Sequence, residues 1–273
     1  MTVGSSRARQ ARGQRLRKEL YAELSITQLE TRRVLNGDGV ASELVVDAGE
    51  ASGDGQGDTF QIGINEGQVE VSVNGELVSS VSQSEIDTIT IQGTSDDDTV
   101  MADLGVGMLD KIDINVQGGE GQDSLRVITN EYLESIIHSI NHSNTGPHSQ
   151  IQFNQLDASI TLGGMENVDY DSSTNQFVVQ IEGGSHDVTL DQDTASGRNR
   201  LEILNTSDVS ESTTLSFASP ESRLEIDTRS GEGLDQDRVS LHGLEATFDA
   251  DLVITGDQTD SFHLTGDTGL GHG

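Results

Sequence analysis

The chain has no cysteine. Disulfides, thiolate metal sites and cysteine nucleophiles are therefore excluded, and redox chemistry says nothing about compartment. Tryptophan is also missing, aromatics make up 3% of the 273 residues, and there are two prolines. A conventional globule draws much of its core from large aromatics. A chain without them can bury stacked Val, Ile and Leu, as a repeating β-coil does. No apolar run is long enough to span a bilayer as a helix. The sequence also has no GxSxG elbow, no P-loop, and no GxGxxG set between a strand and a helix.

Positive charge is scarce and uneven. The formal net charge is −32, yet residues 1–33 hold eight of the fifteen Lys and Arg against three acids. The remainder has seven basic and 44 acidic residues, a net of −37. Such a body repels nucleic acid and anionic lipid, so no nucleic-acid partner is expected. It would accept a divalent cation, although an acidic surface kept for solubility explains the same composition.

Glycine is abundant, at 31 residues, and is often followed by Asp. Gly118-Gly119-Glu120-Gly121-Gln122-Asp123-Ser124-Leu125-Arg126 fits the nine-residue calcium-roll repeat GGxGxDxUx at every fixed position. Turns ending in Asp58, Asp98 and Asp260 keep the Asp-Thr/Ser-apolar ending but lose some of the glycines. Calcium needs six to eight oxygens, so such turns must share an ion between stacked coils. Asp58, Asp98, Asp123 and Asp260 are the candidate calcium ligands, and Ca2+ is the only cofactor expected. The bland alternative is β-turns that use Gly and Asp for backbone geometry alone.

After Gly37 short alternating runs end at glycines: 68–75, 87–93 and 111–118. Alternation buries one face of a strand and wets the other. Two series of anchors then repeat. Gly93, Val100, Gly118 and Asp123 in the first correspond to Gly231, Val239, Gly256 and Asp260 in the second, at offsets of 137 to 139 residues. Within each series the step from Gly93 to Gly118, or from Gly231 to Gly256, is 25 residues. The expected fold is all-β, a parallel β-solenoid in which each coil covers the next. Two β-sandwich modules are the rival. The expected organisation is a basic leader over 1–37, repeats over 38–128 and 175–273, and a connector over 129–174.

The connector carries the one helix expectation. Asn130 can cap a helix running to His142, with Tyr132, Leu133, Ile136, Ile137 and Ile140 on one face and Gly146-Pro147 as the stop. Glu134, His138 and His142 then fall four apart on the opposite face. Two His at i and i+4 can share a zinc, with Glu134 or His148 as a third ligand. A solvated surface stripe is the competing reading.

Residues 7–30 have few glycines, no proline, and Leu16, Leu20 and Leu24 at helical spacing, so a basic helical leader is expected. Leu29-Glu30-Thr31-Arg32-Arg33-Val34-Leu35 resembles the N-terminal LEPR-XLL motif of large planctomycete extracellular proteins. Thr31 stands in place of Pro and Val34 in place of Leu. The resemblance covers about the first 37 residues and implies export, with a body of degenerate hemolysin-type Gly-Asp repeats. These features together imply a non-enzymatic structural or adhesin-like module, extracellular or at the cell surface. Its partner would be a surface or matrix polysaccharide or protein. The alternative is a β-solenoid carbohydrate-active enzyme, a lyase or a glycosidase-like protein, which needs two carboxylates and a basic residue gathered in one groove.

Overall fold

The computed structural model describes residues 31–35, 42–48, 55–105, 111–142, 149–154, 158–208, 212–229, 235–245 and 247–265. The expected leader helix over 7–30 lies outside them, as do Gly231, His148 and the Gly146-Pro147 stop. The first strands are β1 (Thr31–Leu35), β2 (Ser42–Asp47), β3 (Thr59–Asn65), β4 (Gln68–Val73) and β5 (Glu76–Ser82). Next come β6 (Thr88–Gln92), β7 (Thr99–Asp103), β8 (Asp113–Gln117) and the long β9 (Ser124–Asn141). They are followed by β10 (Ser149–Phe153), β11 (Ser159–Gly163), the long β12 (Asn167–Glu182), β13 (His186–Gln192) and β14 (Asn199–Asn205). The last are β15 (Ser212–Phe217), β16 (Arg223–Asp227), β17 (Arg238–Leu241), β18 (Asp251–Thr255) and β19 (Ser261–Leu264).

The alternating runs form strands for the expected reason, and they pair mostly in parallel. β2, β6, β8 and β11 stack in one ladder. β3, β7, β9 and β12, each through its first residues, stack in a second that continues to β15. The later halves of β9 and β12 leave that ladder and pair with β16 and then β18. β13, β17 and β19 complete the arrangement. The order β2–β6–β8 beside β3–β7–β9 therefore recurs as β12–β16–β18 beside β13–β17–β19. This is an all-β, solenoid-like stack of coils, not a pair of antiparallel sandwiches.

Among the described residues, antiparallel strands serve as insertions and covers. β4 and β5 fold out from β3 as a meander. Glu66-Gly67 and Asn74-Gly75 make its two tight turns with positive φ throughout, at 51°, 77°, 53° and 82°. That backbone matches the strand twist, and Asn-Gly is its preferred sequence. β10 sits antiparallel between β9 and β11, and β14 between β13 and β15.

Inward residues align coil over coil. Leu44, Ile89, Ile114 and Ile160 share one rank, and Phe60, Val100, Leu125, Val168 and Leu215 another. All are buried in one continuous core. Full burial of each is worth about 1.5–3 kcal/mol, so the aliphatic ranks supply what the missing aromatics do not. At the far end Phe262 and Leu264 are 49% and 69% exposed, and no described strand covers β18 or β19.

The expected helix over 130–142 is a strand. Its residues continue β9, paired in parallel with β12 from Tyr132 to Asn141. Side chains 125, 127, 129, 133 and 135 point inward, then 136, 138 and 140. This change of parity puts buried Leu133, Ile136 and Ile140 three and four residues apart, which imitates helical spacing. β-branched Ile136, Ile137 and Ile140 favour the extended form, and the β12 partner decides it.

Candidate functional site

The four candidate calcium aspartates occupy one structural position. Each immediately precedes a strand: Asp58 before β3, Asp98 before β7, Asp123 before β9 and Asp260 before β19. There they tie coil to coil. The backbone N–H of Asp58 donates to Oδ1 of Asp98 at 2.7 Å, and that of Asp98 donates to Oδ1 of Asp123 at 2.7 Å. The N–H of Asp123 donates to Oε2 of Glu166 at 2.7 Å. The same chain runs through the later coils, where the N–H of His186 donates to Oδ1 of Asp237 at 2.7 Å and that of Asp237 to Oδ1 of Asp260 at 3.0 Å.

The second carboxylate oxygen closes the residue's own turn. Oδ2 of Asp98 takes the N–H of Thr94 at 2.6 Å, and Oδ2 of Asp260 takes the N–H of Asp257 at 2.6 Å. Asp98 and Asp260 thus each satisfy backbone donors in two coils that would otherwise lack partners, whereas the Asp58 carboxylate takes the side-chain amide of Asn74. Glu166 and Asp237 are parts of this ladder that sequence reasoning did not assign. Asp237 was legible through its place in the repeat register, whereas no signal marked Glu166.

Asp123 is the exception. It is fully buried and its Oδ2 has no partner. Its turn is the complete Gly-rich one, and Gly119 takes a φ of 115° where Thr94 stands one coil earlier. A Cβ on Gly118 would lie 2.0 Å from the carbonyl oxygen of Gly164 and 2.4 Å from Asp123 Oδ2. Burial pushes the Asp123 carboxyl up to about 6; the charges of Asp98, Glu166 and Asp97 add to the rise, while the Asp98 N–H opposes it.

These positions bear on calcium directly. A calcium ion takes six to eight oxygens, and the four carboxylates are strung along the ladder with N–H donors already aimed at them. Among the described residues no group of three or more His, Asp or Glu is arranged around a common point. Among the described residues, Oδ2 of Asp123 is the one buried carboxylate oxygen that no hydrogen bond uses.

The expected zinc stripe is taken apart by the strand. Glu134 is exposed, while His138 points into the core at 0% exposure. His138 Nε2 contacts Oγ of Ser149, and its Nδ1 lies 2.6 Å from the hydroxyl of Tyr170. Burial holds the imidazole down to about 3. It is therefore neutral, with one ring nitrogen donating and the other accepting between Ser149 and Tyr170. His142 turns instead toward His186, with Nδ1 2.8 Å from Nε2. His138 and His142 do not share a ligand position.

The body's arginines are mostly spent on internal pairs. Arg126 binds Asp171 at 2.6 Å, Arg200 binds Asp191 at 3.1 Å, and Arg223 binds Glu225 at 2.9 Å. Arg229 binds Asp227 at 2.5 Å, which lowers that carboxyl, and Arg198 clamps Asp169. A shallow groove across the outer side of the second ladder is lined by Thr99, Ser124, Arg126, Asn167 and Asp169. Its lining holds one carboxylate, Asp169, beside the basic Arg126, where a glycan-cleaving site would need two carboxylates. Arg126 and Arg198 also occupy the carboxylate oxygens that a substrate would have to reach.

Comparison with protein-family models, with curated proteins and with solved structures returns no match. Among the described residues no helix is long and apolar enough to cross a membrane.

Proposed function

We propose that this chain is a non-enzymatic structural or adhesin-like module of the extracellular space or cell surface, built to be long and stiff. One observation carries the reading: the carboxylates of the Gly-Asp turns are used as ties between successive coils, from Asp58 through Asp98 and Asp123 to Glu166. Residues that a catalytic site would keep available hold the scaffold together instead. The paired arginines support the same reading, because a lyase needs free cations to neutralise its substrate's acid groups. The outer surface of hydroxyls, amides and ion pairs suits a polysaccharide or protein of the surface or matrix. Export rests on the resemblance of the leader to the LEPR-XLL motif.

Calcium enters this proposal at one place, the unpartnered Oδ2 of Asp123, where an ion would offset the crowded charges of Asp97, Asp98 and Glu166. The expected result is a rise in melting temperature that calcium gives, magnesium does not, and Asp123→Asn abolishes. No shift removes calcium from the reading and leaves the scaffold. The scaffold reading itself is tested by fractionating cells that make the full chain, together with a reducing-sugar assay over a panel of polysaccharides. The chain is expected at the surface or in the medium, with no sugar release. Release that Asp169→Asn abolishes would establish the glycan-cleaving alternative.

A further inference from the structure

Two imidazoles meet at the corner between the end of β9 and the start of β13. Nδ1 of His142 lies 2.8 Å from Nε2 of His186, with ring centroids 4.9 Å apart and planes tilted by 35°. His186 is buried, and its Nδ1 faces Oδ1 of Asp237 at 3.0 Å. Asp237 is buried as well and is fixed by the backbone N–H of His186. His142 is half-buried.

Donor and acceptor rules set the tautomers. An ionised carboxylate only accepts, so the Nδ1–H of His186 donates to Asp237. This leaves the lone pair of His186 Nε2 pointing at His142, whose Nδ1–H donates to it. A carboxylate that braces one nitrogen of a buried imidazole and directs the other outward is the outer-shell arrangement of metal-binding histidines. His142 can present its own lone pair by moving its proton from Nδ1 to Nε2, so a neutral pair takes up an ion without net proton release.

We propose that Nδ1 of His142 and Nε2 of His186 together bind a late divalent transition metal ion of the Cu2+ or Zn2+ class. Water or an exogenous ligand fills the remaining positions. Bonds of about 2.0–2.1 Å in tetrahedral geometry set the two nitrogens about 3.3 Å apart, so the rings need to separate by roughly half an ångström. Imidazole donors select such ions over calcium and magnesium, which prefer oxygen. The site joins the coil that ends in β9 to the coil that begins β13, so an ion there links neighbours as Asp98 and Asp123 do elsewhere.

The test is Cu2+ titration of the full chain, followed by calorimetry and electron paramagnetic resonance, with Zn2+ as competitor. The expected result is one ion per chain, a spectrum with two nitrogen ligands, and displacement by Zn2+. His142→Ala, a change at a half-buried strand end, should weaken binding by about tenfold or more with circular dichroism unchanged, and Asp237→Asn by about 10–100-fold. Zn2+ should also raise the melting temperature of the wild type and not of His142→Ala. Unchanged affinity in His142→Ala, a spectrum with one nitrogen or none, or no binding at all would each overturn the site.

Discussion

The backbone N–H of Asp98 donates to the side chain of Asp123, the residue that holds its own position one coil later, at 2.7 Å. A side chain thus does the work of a ladder bond where the backbone turns a corner and no strand partner is available. The acceptor repeats at each coil while the strands between are free to vary.

Removing one tie should be costly. Asp98 accepts from the N–H of Asp58, the N–H of Thr94 and the hydroxyl of Thr94, and it is 1% exposed. Each buried donor left unpaired costs about 1–3 kcal/mol. Asp98→Ala should therefore lose several kcal/mol in urea unfolding. Asp171→Ala, which removes an exposed ion pair with Arg126, should stay within about 1 kcal/mol.

Glycine is required at some turns and optional elsewhere. A Cβ at Gly93 would meet the carbonyl of Gly118 at 2.1 Å, and one at Gly118 would meet that of Gly164 at 2.0 Å. Gly118→Ala must push two coils apart and should destabilise by about 1–3 kcal/mol or more. A Cβ at Gly63 meets nothing within 4 Å. Gly63→Ala in β3 should be neutral or stabilising in the same melting experiment.

Asp123 should make the fold less stable as pH rises. Its carboxyl stands at about 6 when folded and returns to about 3.8 when unfolded. Between those values the folded chain binds more protons. The contribution is complete below the unfolded value and is lost as pH passes the folded one. Urea midpoints measured from about pH 4 to about pH 7 should carry this loss. Asp123→Asn, which keeps an oxygen for the Asp98 N–H, should remove it.

His138 acts in the opposite direction. Burial takes its imidazole from 6.5 to about 3, so below the ordinary value the unfolded chain binds the extra proton. Stability from this group is complete above 6.5 and is lost as pH falls toward 3. The double variant His138→Leu, Tyr170→Phe removes ring and hydroxyl together. It should flatten the acid limb of the same titration.

The coil architecture was legible because strand alternation and Gly-Asp spacing are local. The 25-residue step placed Asp98 beside Asp123, where the structure has them. The β9 extension was misread because a change of inward parity near Ser135 gives a strand the apolar spacing of a helix. The roles of Glu166 and His186 were hidden for a different reason. Their partners lie 43 and 51 residues away, across inserted strands that no fixed period describes. The aspartates were singled out as calcium ligands, and composition does not reveal whether a carboxylate faces a cation or a backbone N–H.

Successive ties in the ladder are separated by 40, 25 and 43 residues in the early coils and by 51 and 23 in the later ones, yet the strands they join stay adjacent. Extra chain has been taken up as protruding hairpins such as β4–β5. The tip at Glu66-Gly67 is thus a ready-made grafting point, where a foreign peptide or a whole small domain could be displayed without disturbing the stack, whereas Asn74 at the opposite turn is tied to Asp58 and Thr59. This fold tolerates added length far better than added volume.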